Sequence, residues 1–550
     1  MEKRRASLNR EAETPSIDET HGFELVRQIR DWQINNGALF KSIADDDQDD
    51  SGVGYAIGVT VFPSPFPWRL FEQARTLQPI YNKLYCAIAE DPDWIYSQIK
   101  DLIPVDPLVH ELWDLYQAAR QRTSVQPISA GVFRSDYMLN CGTGSLVDPQ
   151  DEERIHSTRW DQLSQASLKQ VEFNTYFCAG FAHAERVAKM HQYLARTGAY
   201  NLNGRQPFHA GSMPLNHNVA EIASLLALAH ETYGFARSKF GRKTAILFVV
   251  QPHNVNTTDE RPIEYALADR DIPVSIYRVW FGHDVLACTS LTEEQALLFT
   301  PPGSVSEPVE ISVVYMRAGL DASEYFDDSD MQGCNDGDAD LSEKSRHGAG
   351  WYARLQLEQS AAIKCPSVLG HMATLKRVQQ ALTVPGALER FLDPDEASQI
   401  RTTFVRMYPL DKSENGLCGR AKATDPEQAR HMILKPSQEG GGHNVYGEEI
   451  PEFLKTLSQV EWSRYILMER IMPPPADNFL LGRECAGYDT ISELGVLGCC
   501  LWRKEAQGHG RCEIFQNWQG GWTFKTKPAG VDEMSVVKGF GCFDSLRLLG

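Results

Sequence analysis

The chain is poor in basic charge, in paired cysteines and in long apolar runs, and each shortage excludes something. Lys and Arg number 54 against 73 Asp and Glu, a net charge of −19. That balance argues against a nucleic-acid partner, because phosphate binding needs a basic surface. The twelve cysteines form no CxxC pair, and the only adjacent two are Cys499 and Cys500. Such scatter suits reduced thiols better than a disulfide framework or a zinc centre. No apolar run is long enough to span a bilayer, and the opening MEKRRASLNREAETPS lacks the apolar core of a secretory signal. A soluble, cytoplasmic protein with no membrane partner is expected. G-x-x-x-x-G-K-[ST] is also missing, so a P-loop is unavailable. No internal repeat is visible.

What is present is a chain of 550 residues, 42% hydrophobic and 10% aromatic, too long for one core and suited to an enzyme of two to four lobes. Residues 23–40 have helical spacing, and the acidic run at 45–50 reads as a solvated linker. A short strand with proline turns follows at 59–68, then helices to about 121. Strands are expected at 131–139 and 168–177, and an alanine- and leucine-rich helix at 217–233. Strands at 244–251 and 311–317 flank a helix-then-strand unit at 263–279, an alternation that predicts a small parallel α/β lobe. Residues 321–350 are acidic and aperiodic, hence a disordered insertion or a mobile lid. Residues 351–382 and 388–407 look helical. From Met432 onward the pattern is of short strands with glycine-rich turns.

The most informative stretch is 433–449, ILKPSQEGGGHNVYGEE. Gly440, Gly441 and Gly442 would weaken any helix or strand but suit a loop bringing bare N–H groups to an anion. Lys435 supplies positive charge, Glu439 a hard oxygen ligand of the kind magnesium prefers, and Tyr446 a flat face. In VEFNT, Glu172 and Asn174 stand two apart in a strand, hence on one face, as a metal pair or as solvated edge polarity. FRSDYM presents Arg134, an anion anchor or a surface residue, and Lys376 sits on a helix where a lysine is commonly solvent-facing. YILMERIMPP is either core or a hinge offering backbone to a purine. In ISELGVLG, Glu493 lies in an apolar strand and needs a partner or a ligand.

Taken together, LKPSQEGGGHNVYGEE, YILMERI, ISELGVLG, VEFNT, FRSDYM and IKCPSV with LKRVQQ resemble the eukaryotic-type glutathione synthetases, from about Phe62 almost to the C-terminus. The resemblance implies a circularly permuted ATP-grasp ligase and a homodimer. It implies an α/β fold with a small parallel substrate lobe and a helical region. Residues 1–55 would be an N-terminal helix and linker, and 56–240 with 376–550 the catalytic body with its lid. Residues 241–375 would be the substrate domain, carrying the insertion at 321–350. ATP and Mg2+ are the implied cofactors. Glu172, Asn174 and Glu439 would hold the metal. Lys376, Lys435 and Lys527 would contact phosphates under the amides of Gly440 and Gly441. Asn444, Tyr446, Met468, Ile471 and Glu493 would surround adenosine. Arg134, Lys435 and Lys525 would carry the chemistry.

On the substrate side the chain departs from that family. Where the family has ISASFGG this chain has YFCAGFA, placing Phe177 and Ala179 at the serine positions. In QPHNVNTTDER only Asn256 is kept, while Asn254 and Glu260 replace two binding residues. RDGY becomes RAGL, which keeps Arg317 and puts Leu320 in place of a tyrosine. An arginine becomes Lys525, which carries charge without the bidentate fork. The GGVAAG lid reads MSVVKG, with Val536 and Val537 inside it. The expectation is an ATP- and Mg-dependent carboxylate–amine ligase that forms an amide through an acyl phosphate. Its partners would be a small carboxylic acid and an amine other than γ-glutamylcysteine and glycine. An authentic glutathione synthetase is the alternative, and a non-catalytic ATP-binding homologue is third.

Overall fold

Two long antiparallel strands, Cys485–Lys504 and Cys512–Pro528, form the spine of the computed structural model. The structure describes residues 13, 18–43, 52–122, 125–142, 159–201, 207–239, 243–303, 307–326, 347–437, 443–482, 485–505 and 510–550. Among them, 13 strands make one mixed sheet. Ile128–Asn140 pairs antiparallel with the spine and with Ser167–Asn174. On its far side the short strand Ile363–Cys365 joins it in parallel to Val309–Arg317, which pairs in parallel with Thr244–Val250 and, through that, with Ile276–Trp280. The parallel strands expected between 244 and 317 are therefore present, but they are hydrogen-bonded into the large sheet.

Period-two alternation explains why this sheet is covered on both faces. Ala245, Leu247 and Val249 enter one core, together with Leu494, Val496 and Trp502. Ile246, Phe248 and Val250 enter the other, with Leu497, Cys499 and Leu501. Helix Trp68–Ala89 covers the first face with Leu70, Ala74, Leu77, Tyr81, Leu84 and Ile88, a helical stripe. Helix Asn218–Tyr233 covers the second with Ile222, Leu225, Leu226 and Ala229. Each fully buried Leu, Ile or Phe contributes about 1.5–3 kcal/mol. The two-sided core thus fixes the sheet as a rigid platform.

A separate four-stranded antiparallel sheet, in the order Met407–Pro409, Tyr465–Glu469, Met432–Pro436, Val445–Tyr446, has its own small core around Leu434, Leu454 and Leu467. Among the described residues no helix is long and apolar enough to cross a membrane.

Several expectations are corrected. The first helix runs Glu19–Asn35; Gly37, at a φ of 66°, ends it, and Leu39–Lys41 is a strand. Residues 351–382 are not a continuous helix. Ala349–Glu358 gives way to the buried strand Ile363–Cys365; Pro366 has no N–H, and Ser367 then caps a new helix by accepting from Gly370. In 388–407 only Pro394–Arg401 is α-helix, begun by a capping box between Asp393 and Glu396. The strands after residue 484 are long, because their glycines are not turns. A Cβ on Gly498 would stand 2.1 Å from Asn82 Oδ1, and one on Gly521 2.1 Å from Asn218 Oδ1. These glycines let polar helix residues reach the sheet backbone. The acidic run at 45–50 and residues 327–346 of the insertion lie outside the described residues.

Candidate active site

The cavity that matters is about 860 Å³ and lies between the large sheet and the four-stranded one. Its floor follows from strand register. Arg134 stands opposite Asn174 and Asp136 opposite Glu172 on one strand pair; Glu493 stands opposite Lys525 and Ile491 opposite Lys527 on another. Residues two apart share a face, so these pairs present a carpet of charge to one side. Lys376, at the start of helix Lys376–Leu382, and Lys435, on the small sheet, close in from above.

The charges are wired together. Arg134 makes a bidentate pair with Asp136, Nε and Nη2 each 2.7 Å from a carboxylate oxygen, and Nη1 donates to Ala179 O at 3.0 Å. Asn174 Nδ2 donates to Asp136 at 3.0 Å and to Glu172 at 3.2 Å. Lys376 Nζ lies 3.0 Å from Glu172, and Lys435 Nζ donates to Val171 O at 3.2 Å. Burial alone would raise the Glu172 carboxyl, but Lys376, Lys435 and Arg134 hold it well below the usual carboxylate range. Asp136 is fully buried. Desolvation pushes its carboxyl up to about 6 despite Arg134, and the nearby Glu493 adds to the rise. Gly495 makes room for the pair, since a Cβ there would lie 2.3 Å from Thr523 Oγ1, 2.7 Å from Asp136 and 2.9 Å from Arg134 Cδ.

Around the nucleotide-type residues the structure brings most of the expected set together. Asn444, Tyr446, Met468, Ile471, Glu493 and Lys527 all line the cavity. Met468 and Ile471 are buried and apolar, as a flat base would need. Lys527 is lowered by burial and donates to the carbonyls of Val531 and Asp532. Tyr446 Oη donates to Asp532 O at 2.9 Å, and Asn444 N to Glu533 at 3.3 Å. Lys525 Nζ is 2.5 Å from Glu493 Oε1, so residues expected at different ligands form one ion pair. Glu439, Gly440 and Gly441 lie outside the described residues.

A hard divalent cation can be tested against the side chains present. Among the described residues no group of three His, Cys, Asp or Glu is arranged to hold a metal ion. Glu172 is nevertheless held ionised, and Asn174 spends its Nδ2 protons on carboxylates, so Oδ1 is not one of the atoms used there. Two hard oxygens on one strand face suit Mg2+, which takes few protein ligands and keeps waters.

On the substrate side the set divides. Phe177, Ala179, Asn256, Lys525 and Val537 line the cavity; Asn254, Glu260 and Arg317 do not. Those three form a buried network instead. Arg317 Nε donates to Glu260 at 3.1 Å, Asn254 Nδ2 donates to Glu260 at 2.8 Å, and Arg278 Nη1 donates to it at 2.9 Å. Phe177 sits at a φ of 52°, a left-handed conformation that costs a bulky residue on the order of 1–3 kcal/mol. Val536 is buried and lines a second cavity of about 240 Å³, and Val537 lines both. The sequence reading missed Asp136, Asp532, Glu533 and Lys538, all but Asp136 on the cavity wall. Asp136 had a signal, being two residues from Arg134 in a strand. The acidic pair had none, because its place depends on a loop.

The family model described as "Eukaryotic glutathione synthase, ATP binding domain" matches residues 19–548. Glutathione synthetase large chain of Schizosaccharomyces pombe is 31% identical over 541 residues, 96% of this chain and 97% of its own. Glutathione synthetase of Mus musculus is 32% identical over 487 residues, 88% of this chain and 89% of its own. Among solved structures, a glutathione synthetase-like effector from Globodera pallida in apo form superposes with a TM-score of 0.68 at 20% identity, covering 97% of this chain and 98% of its own.

Proposed function

The chain belongs to the eukaryotic glutathione synthase family of ATP-dependent C–N ligases, and from that premise we propose that it joins a carboxylic acid to an amine other than γ-glutamylcysteine and glycine. The observation that supports altered substrates is that Asn254, Glu260 and Arg317 do not line the cavity but hydrogen-bond into a network of their own. In a site that has lost those contacts, each missing hydrogen bond removes about 0.5–1.5 kcal/mol of recognition.

ATP with Mg2+, the family's cofactor, supplies the phosphoryl group that activates the acid and the charge that screens its transfer. Lys376 and Lys435 approach the same end of the cavity and would hold phosphate oxygens. Glu172 and Asn174 would hold the metal, with Glu439 of the glycine loop joining them. Met468, Ile471 and Tyr446 give the apolar walls for adenosine. Arg134 is rigidified by Asp136 and keeps positive charge where the acid's carboxylate becomes activated. Lys525 stands at the amine end, poised by Glu493. The small sheet and the 531–538 loop border the cavity, in which an activated acyl group would have to be kept from water. The division into a catalytic body at 56–240 and 376–550 and a substrate domain at 241–375, a homodimer, and a cytoplasmic location belong to the same reading.

The test uses purified full-length protein with ATP, Mg2+, γ-glutamylcysteine and glycine, followed for ADP release and product mass. Slow or absent glutathione formation with rapid ADP release on other acid–amine pairs is expected. Rapid glutathione formation would make this an ordinary glutathione synthetase and end the proposal.

A further inference from the structure

Phe177 and Cys178 both touch one guanidinium, that of Arg317. Arg317 Nη1 donates to Cys178 O at 2.7 Å while its Nε is held by Glu260. The Phe177 ring lies on the guanidinium face, its centroid 4.5 Å from Cζ. Arg317 is 2% exposed, and its buried Nη2 has no hydrogen-bond partner among the described residues. Phe177 lines the cavity and Arg317 does not. The ring is thus the layer between a buried cation and the substrate space.

Two costs meet at this contact. A phenylalanine is held in left-handed backbone, and a charged N–H is left unpaired away from water. Cation–π attraction offsets part of the second cost but satisfies no N–H. Arg278 shares Glu260 but is also held by Glu264, so what Arg317 lacks is a hydrogen-bond partner at Nη2 rather than a counter-charge. Leu320 also lines the cavity.

We propose that Phe177 sets the class of acid this ligase accepts: an acid whose far end is uncharged and apolar, because the ring seals Arg317 from the cavity. An acid with a second carboxylate at that end is taken up well only when the ring is removed. This rests on the ligase reading above and adds to it the residue that decides substrate class.

Two acids form a matched pair of probes. N-Butanoylcysteine and γ-glutamylcysteine carry the same cysteine carboxylate and differ only in the amino and carboxylate groups of the far end. Their dissociation constants would be measured by titration calorimetry on full-length protein loaded with Mg2+ and a non-hydrolysable ATP analogue. The proteins compared would be the wild type, Phe177→Ser and Phe177→Asn; asparagine tolerates left-handed backbone. The wild type is expected to prefer N-butanoylcysteine by about tenfold or more, and both variants to shift at least about tenfold toward γ-glutamylcysteine. Adding Arg317→Met to Phe177→Asn, in a protein that still binds the nucleotide analogue, should remove that shift. Unchanged preference in two variants that still bind the nucleotide analogue overturns the proposal, as does binding of neither probe by any of the proteins. Failure of the wild type to bind Mg-nucleotide would sink the ligase reading instead.

Discussion

Glu493 and Lys525 face each other across the long strand pair, Oε1 and Nζ 2.5 Å apart, on the floor of the cavity. One belongs to the expected nucleotide end and the other to the expected amine end. A change at either is therefore felt by both. Lys525→Met should cost about 1–3 kcal/mol of stability by leaving Glu493 without its partner. In a double-mutant cycle with Glu493→Gln, measured by urea unfolding, the two effects should fall well short of additive. Additivity would mean the pair is incidental.

Gly495→Ala is expected to destabilise the fold by about 1–3 kcal/mol through overpacking. The new methyl group would meet Thr523, Asp136 and Arg134 at once. Turnover should fall with stability, because the Arg134–Asp136 pair is what the methyl group displaces. A variant as stable and active as the wild type would show that the spacing relaxes freely.

The pH dependence has a definite sign. Asp136 is raised from 3.8 to about 6. Between those values the folded protein holds a proton that the unfolded chain releases, so its stabilising effect is complete below 3.8 and is lost as pH rises through about 6. Asp544 is shifted in the same direction, so the measurement is a difference: urea unfolding of wild type minus Asp136→Asn from pH 4 to 7. The wild type should lose stability relative to the variant across that window. Its activity should rise over the same range, since only the ionised Asp136 can brace Arg134 by two charge-assisted bonds.

Glu172→Gln should lower turnover by about a hundredfold or more and raise the Mg2+ concentration needed for half-maximal rate. It removes the carboxylate that Lys376 and the metal would share. A normal Mg2+ dependence would reject Glu172 as a ligand. Lys376→Met should instead weaken nucleotide binding while leaving the Mg2+ requirement of the residual activity unchanged.

How far the sequence could be read depends on how local each feature is. Glu172 and Asn174 share a strand face by spacing alone, so that much was legible; their meeting with Glu493 in one cavity was implied only by the family resemblance. Arg317 was expected to reach a substrate because the family resemblance keeps it in the RDGY position. Its actual partners, Glu260 and Cys178 O, are set by how the 175–179 turn meets helix Thr257–Ala268, which no local pattern encodes. The general expectation of short strands with glycine-rich turns from Met432 onward misled. Gly495, Gly498 and Gly521 lie inside long strands and serve close approach by Thr523, Asn82 and Asn218, a long-range requirement that spacing does not show. The 351–382 stretch misled for the opposite reason. Its apolar density is real, but it is a helix, a buried strand and two further short helices, and density alone does not distinguish strand from helix.

Val537 borders both the 860 Å³ cavity and the 240 Å³ one, and it is 43% exposed. One side chain of the 534–541 strip therefore touches both spaces, and a bulkier residue at 537 would be felt in each.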